Sequence, residues 1–202
     1  MSRQWTSVLV IVAGLVLGAA ALVKYGPVPE GAEVGNRAPD FQAVNLQSGD
    51  SISFHEAYEG HVTLVNIWAT WCAPCRAEMP AMEELYQAFK DHGFRIAAVS
   101  VDEGQPADVM SFARELNLTF DILHDRDARI QQLYLARAVP ESFLIDRNGV
   151  IVRKQIGEHP WSSPANRRIV AQLVGLAPEG PFAPDSAAPP VTSELELKPG
   201  GG

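Results

Sequence analysis

Val62–Pro80, VTLVNIWATWCAPCRAEMP, joins two unlike patterns at a single seam. Val62 to Trp68 is an apolar, β-branched run without alternation, the pattern of a strand buried on both faces. Ala69-Thr70-Trp71 breaks that run, and Cys72-Ala73-Pro74-Cys75 follows. Arg76-Ala77-Glu78-Met79 then begins a string of helix formers. The chain has 2 cysteines, and both stand at this seam.

The segments around the seam extend the pattern. A helix is expected from about Ala73 to Asp91, with Met79, Met82, Leu85, Tyr86 and Phe89 at three- and four-residue spacings. Pro80 falls inside it, removes one backbone donor and should kink it; His92-Gly93 is a C-terminal stop. Phe94 to Val101 reads as a second buried strand, so Val62–Val101 forms a βαβ unit whose right-handed crossover makes the two strands parallel. Upstream, Phe41, Val44 and Leu46, a Ser48-Gly49-Asp50 turn, then Ile52 and Phe54 read as a small hairpin or a covering pair of strands. Downstream, Pro106 opens a helix with Val109, Phe112, Ala113 and Leu116 inward, and Phe120–Leu123 is a short strand. A short helix from Asp127 to about Leu135 places Ile130, Leu133 and Tyr134 on its apolar side. Strands Ser142–Asp146 and Val150–Ile156 flank an Arg147-Asn148-Gly149 turn. Gly157–Pro164 reads as a loop, and Asn166–Leu176 as a last helix carrying Ile169, Val170, Leu173 and Val174.

The remaining composition bounds the reading. With 202 residues, 47% of them hydrophobic, the chain suits one α/β domain plus appendages. A net charge of -8 argues against a nucleic-acid partner and offers no basic membrane-binding patch. Trp5 to Val23 is uncharged, and as a helix this run of ~19 residues would span roughly 28 Å, the thickness of a bilayer core. Its length favours an uncleaved anchor; Ala19-Ala20-Ala21 keeps a cleaved signal peptide open. Either reading carries the rest of the chain out of the cytoplasm. The expected organisation is an anchor or signal over 1–24, a Gly- and Pro-containing tether over 25–37, a domain over 38–176 and a disordered tail over 177–202.

Four readings compete for Cys72 and Cys75. A structural disulfide closing so short a loop would stabilise the fold by only about 2 kcal/mol. A zinc site needs four ligands, and the 5 histidines show no paired metal spacing, so no metal is expected. Two inert thiols leave the Pro-containing turn between them unexplained. An exchanging dithiol accounts for the pattern. Cys72 would lie at a helix N-terminus, where free N–H groups and the helix dipole favour a thiolate, and Cys75 lies one turn further in on the same face. Cys72 is then the attacking nucleophile and Cys75 the resolving thiol.

Trp71-Cys72-Ala73-Pro74-Cys75 resembles the thioredoxin active site, Pro80 has the position of that family's helix proline, and Val139-Pro140 resembles its cis-proline loop. Asn66-Ile-Trp-Ala-Thr-Trp71 and Glu141-Ser-Phe-Leu-Ile-Asp146 are similar to a narrower group, the membrane-tethered extracytoplasmic thioredoxins of the TlpA, ResA and CcmG type. The resemblance covers roughly Ala38 to Gly175 and implies a thioredoxin fold. Its central mixed sheet would be flanked by helices, with an N-terminal β extension and a helix–strand insert matching Pro106–Leu123. It further implies that Trp71, Pro74, Val139 and Pro140 form the substrate-facing surface and that Glu78 sits near the thiols as a proton donor or acceptor. Asn66 departs from ordinary thioredoxins, which carry a buried aspartate there, and Glu78 is expected to compensate.

The expected function is an extracytoplasmic thiol–disulfide oxidoreductase that reduces protein disulfides, with cytochrome c maturation as one setting. Electrons would come from a membrane thiol donor, with no small-molecule cofactor because the dithiol carries two electrons. The direction of transfer stays open, since related dithiols span roughly -270 to -120 mV. Two alternatives remain. A thiol peroxidase needs a Pro-x-x-x-Thr-x-x-Cys site, whose proline position is occupied here by Val65. A Cu(I)-handling protein would use the reduced thiols as soft ligands.

Overall fold

The computed structural model describes residues 31–176, together with Val12, Gly14 and Leu15. The expected tail, most of the expected anchor and the first part of the tether lie outside the described residues. Among the described residues no helix is long and apolar enough to cross a membrane.

The expected hairpin is present as β1 (Gln42–Asn45) and β2 (Ser51–Ser53), paired antiparallel. Phe54, expected in the returning strand, instead begins a short helix, α1 (Phe54–Tyr58). Ser53 caps it, its side chain accepting the Glu56 N–H, while Phe54 stacks on Phe41 with ring centroids 5.0 Å apart. Capping chemistry and aromatic burial outweigh the short apolar alternation that favoured a strand.

β3 (Val62–Trp68) is buried along its whole length and lies in the interior of a seven-stranded sheet. It leads into α2 (Ala73–Phe89), whose Met79, Met82, Leu85 and Phe89 are fully buried. Each such side chain contributes about 1.5–3 kcal/mol on burial. Pro80 lies within this helix, as expected. One 3-10 turn, Lys90–His92, and a left-handed Gly93 (φ 89°) end it. β4 (Phe94–Ser100) returns parallel to β3.

The insert is α3 (Pro106–Glu115) and β5 (Asp121–His124), with β5 parallel to β4 and antiparallel to β1. α4 (Arg129–Leu133) buries Ile130, and Tyr134 just beyond it is also buried, but Leu133 is exposed. Leu133 shares the face of Ile130 but lies in the last turn, where the chain leaves the helix at Tyr134. β6 (Glu141–Ile145) runs antiparallel to β3 and pairs with β7 (Ile151–Ile156). The strand order is thus β2-β1-β5-β4-β3-β6-β7. α5 (Pro164–Leu173), capped by Ser163, begins two residues before the expected Asn166 and ends at Leu173 rather than Leu176.

Side-chain alternation along β3 divides the interior into two layers. Val62, Leu64 and Trp68 face the cluster built with α2, α3 and α5, whereas Val65 and Ile67 face the one built with β1, α1 and Tyr134. Residues 31–37, expected in a tether, pack on the domain. Ala32 is buried, Gly35 N–H donates to Ile151 O at 2.8 Å, and Arg37 bridges Val150.

Candidate active site

Cys72 occupies the N-cap of α2 in an extended conformation. Its Sγ accepts the Cys75 backbone N–H at 3.2 Å, and its carbonyl accepts the Arg76 N–H at 3.1 Å. The two sulfurs are bonded to each other, with 5.2 Å between the α-carbons. Cys72 keeps 4% of its surface exposed and Cys75 none. A helix N-terminus therefore points an amide at the one sulfur-bearing residue of the pair that keeps some solvent exposure.

The turn before Cys72 is held from just beyond the end of β4. Thr70 donates its backbone N–H (3.0 Å) and its hydroxyl (2.6 Å) to the Asp102 carboxylate, which also accepts the Ser100 hydroxyl at 2.7 Å. Arg76, one residue past the dithiol, pairs with Glu115 at 2.8 Å and lies over the Phe112 ring. The insert thereby braces the first turn of α2.

Glu78 is 2% exposed. One carboxylate oxygen accepts from Asn66 Nδ2 at 2.9 Å and the other from the His159 backbone N–H at 3.0 Å. Asn66 Nδ2 also donates to Ser142 Oγ at 2.8 Å, while its Oδ1 meets no donor among the described residues. Burial pushes the Glu78 carboxyl up to about 7 against the pull of those two donors. The Trp161 indole pulls the same way, although its N–H stays outside hydrogen-bond geometry. Because Glu78 is three residues after Cys75 on α2, the two share a helix face.

The other expected site residues divide between surface and interior. Trp71 is 70% exposed and Pro74 is exposed, while Pro140 is buried and Val139 half-buried. The Val139–Pro140 peptide bond is cis, the isomer that the resemblance implies. Trp71 and Val139 line a cleft of about 460 Å³ with Val101, Glu103, Arg126 and Gln131 among its other walls. A second cavity of about 530 Å³ lies at the opposite end of β3, between Gly60–His61 and Asp146–Gly149, and contains none of the expected site residues. Among the described residues no three His, Cys, Asp or Glu side chains are grouped to hold a metal ion.

Several residues of this site escape a sequence reading. His159 contributes a backbone N–H, which no side-chain pattern reveals. Trp161, assigned to a loop, is buried in the same cluster as Cys75. A tryptophan in an otherwise polar loop was the available signal. Asp102 and Ser142 act through contacts to other segments of the chain.

Residues 34–154 match the AhpC/TSA family. The chain is 38% identical over 126 residues to the thiol-disulfide oxidoreductase ResA of Bacillus cereus strain ZK / E33L, covering 62% of this chain and 71% of the relative. ResA of Bacillus cereus strain ATCC 10987 is 35% identical over 151 residues, covering 75% and 85%. Among solved structures, a thioredoxin-family thiol:disulfide interchange protein from Chlorobium tepidum TLS superposes with a TM-score of 0.60 at 26% identity, over 71% of this chain and 99% of that one. The family model and the relatives at 35% and 38% identity lead to one assignment: the chain belongs to the AhpC/TSA family and, within it, to the ResA-type thiol-disulfide oxidoreductases.

Proposed function

We propose that the protein reduces protein disulfides outside the cytoplasm, with Cys72 as the attacking thiolate, Cys75 as the resolving thiol and Glu78 as the proton carrier. The observation that carries this reading is the Cys75 N–H aimed at Cys72 Sγ at 3.2 Å, with Cys75 wholly buried behind it. In the reduced enzyme that amide stabilises negative charge on Cys72. The Cys72 thiolate attacks one sulfur of a substrate disulfide, forms a mixed disulfide and releases the other sulfur as a thiolate. The Cys75 thiol loses its proton to Glu78 and attacks Cys72 Sγ, which reforms the internal disulfide and releases the second substrate thiolate. Two electrons pass from the dithiol to the substrate. A carboxyl that titrates near neutrality can take and return that proton, a task the Asn66 amide cannot perform.

Substrate docks on Trp71, Pro74 and the Val139–Pro140 loop, along the cleft beside them. A membrane dithiol resets the enzyme, cytochrome c maturation is the setting, and an N-terminal anchor over 1–24 holds the domain at the outer face of the cytoplasmic membrane. No small-molecule cofactor enters this cycle, because the cysteine pair carries both electrons. Residues 38–176 form the exchange domain, and the chain before it, packed on the domain over 31–37, leads to the anchor.

Cys75→Ser in the native host tests the reading. It blocks resolution, so mixed disulfides should accumulate on Cys72, and identifying the attached protein gives the substrate. Cys72→Ser should accumulate none. A blank from both variants overturns the proposal. Val65, where a peroxidatic site requires proline, argues against peroxide as the natural oxidant. Rapid consumption of hydrogen peroxide by the reduced protein would reverse that view.

A further inference from the structure

Asn166 lies in the first turn of α5, buried, and holds three separate pieces of the loop beneath the dithiol. Its Nδ2 donates to Pro160 O at 2.8 Å and lies 3.0 Å from His159 Nε2. Its Oδ1 accepts from Arg153 Nη1 at 3.0 Å, and its backbone N–H donates to Ser163 Oγ at 3.4 Å. A carbonyl can only accept and a guanidinium can only donate, so these partners fix which way the amide points. The ring nitrogen facing Nδ2 must then carry its lone pair, which makes His159 neutral with its proton on Nδ1. Nε2 also lies 3.4 Å from Oδ1, but that contact is longer and Oδ1 already serves Arg153. Burial, aided by the Arg153 charge, disfavours a protonated His159 ring and outweighs the opposing Asn166 contact.

The consequence reaches the redox site through one peptide. His159 and Pro160, both gripped by Asn166, set the position of the His159 backbone N–H, and that N–H is the donor to Glu78 Oε2 at 3.0 Å. We propose that Asn166 is a positioning residue for the Glu78 proton carrier, holding the His159 amide on the carboxylate, with Arg153 fixing Asn166 in turn. The role of Glu78 in exchange is the reading proposed above; the control of its acidity by Asn166 is a separate claim. The groups facing Glu78 are Asn66 from β3, with Ser142 of β6 behind it, and His159 and Trp161 from the loop. Glu158, also in that loop, opposes ionisation by its charge, and the cysteine pair lies one turn earlier on α2.

The test is a direct titration of Glu78 in the oxidised full-length protein, by carboxyl carbon NMR with labelled glutamate assigned through Glu78→Gln. Asn166→Leu keeps the branched shape and heavy-atom count of the side chain and removes every side-chain amide contact. It should move the Glu78 midpoint upward by about one pH unit, the expected effect of losing one hydrogen bond to a charged group. Arg153→Met should move it in the same direction by less. The pH profile of disulfide exchange should follow the midpoint, and Asn166→Leu should leave the profile unmoved when Glu78 is already Gln. A midpoint that stays put in both variants, each still unfolding cooperatively, overturns the proposal. So does an equal profile shift with and without Glu78. If Asn166→Leu fails to fold, Arg153→Met decides by itself. If Glu78→Gln leaves the exchange profile unchanged, the proton-carrier role falls while the NMR midpoint still decides on Asn166.

Discussion

Glu78 holds its proton into neutral pH because desolvation outweighs two well-aimed N–H donors. That balance has a consequence for stability with a definite sign. The folded carboxyl titrates at about 7 and the unfolded one at about 4.5, so between those values the folded chain binds a proton that the unfolded chain has lost. Stability contributed by this group therefore falls as pH rises through the window, by about 3 kcal/mol in total as an order of magnitude. Glu78→Gln should flatten the stability difference between pH 5 and pH 8 in the oxidised protein. Urea unfolding at the two pH values checks this, and a slope identical to the parent would contradict the elevated titration. Cys72 shows how one residue can serve two ends, since it caps α2 structurally and presents the accessible sulfur.

At the scale of elements, the strand–helix seam is pinned by a carboxylate from the segment just after the neighbouring strand β4. Asp102 accepts both donors of Thr70 as well as the Ser100 hydroxyl, so Asp102→Ala would leave three polar groups without that partner. Loss of about 2–3 kcal/mol is expected, read by denaturant unfolding, together with faster amide exchange at Thr70. β3, α2 and β4 were legible in the sequence because their signals are local: an apolar run, a three-and-four spacing and a stop at Gly93. The seam that positions the cysteines was legible for the same reason. α1 was not, because Phe54 fits an alternating strand until the Ser53 cap and the Phe41 ring are in place. The loop carrying His159 and Trp161 was also hidden. It has no period, and its value to the site lies in one backbone N–H and in contacts with α2 and α5 that only the fold creates.

Across the whole molecule, the N-terminal segment and the cis-proline loop are joined through one lysine. Lys154 on β7 pairs with Glu33 at 3.0 Å and with Glu141 at 3.3 Å, and Glu141, directly after Pro140, is 1% exposed. Glu141 also accepts the Arg137 N–H at 3.0 Å, which ties down the approach to the loop. Lys154→Met would strand a buried carboxylate and should lower stability by about 3 kcal/mol. Glu33→Ala removes only the exposed end of the pair and should change it by less than about 1 kcal/mol. Chemical unfolding of the two variants separates these outcomes, and equal losses would show that Glu141 does not depend on Lys154. Trp71 adds a different kind of consequence. It is 70% exposed, whereas Trp68 and Trp161 are buried, so its emission lies to the red of theirs and is open to iodide. The chain thus carries its own optical probe beside the disulfide. A peptide docked at the cleft would shield Trp71 from the quencher and leave the interior indoles of Trp68 and Trp161 unchanged, so in a Trp5→Phe background occupancy of the site can be followed by fluorescence without any label.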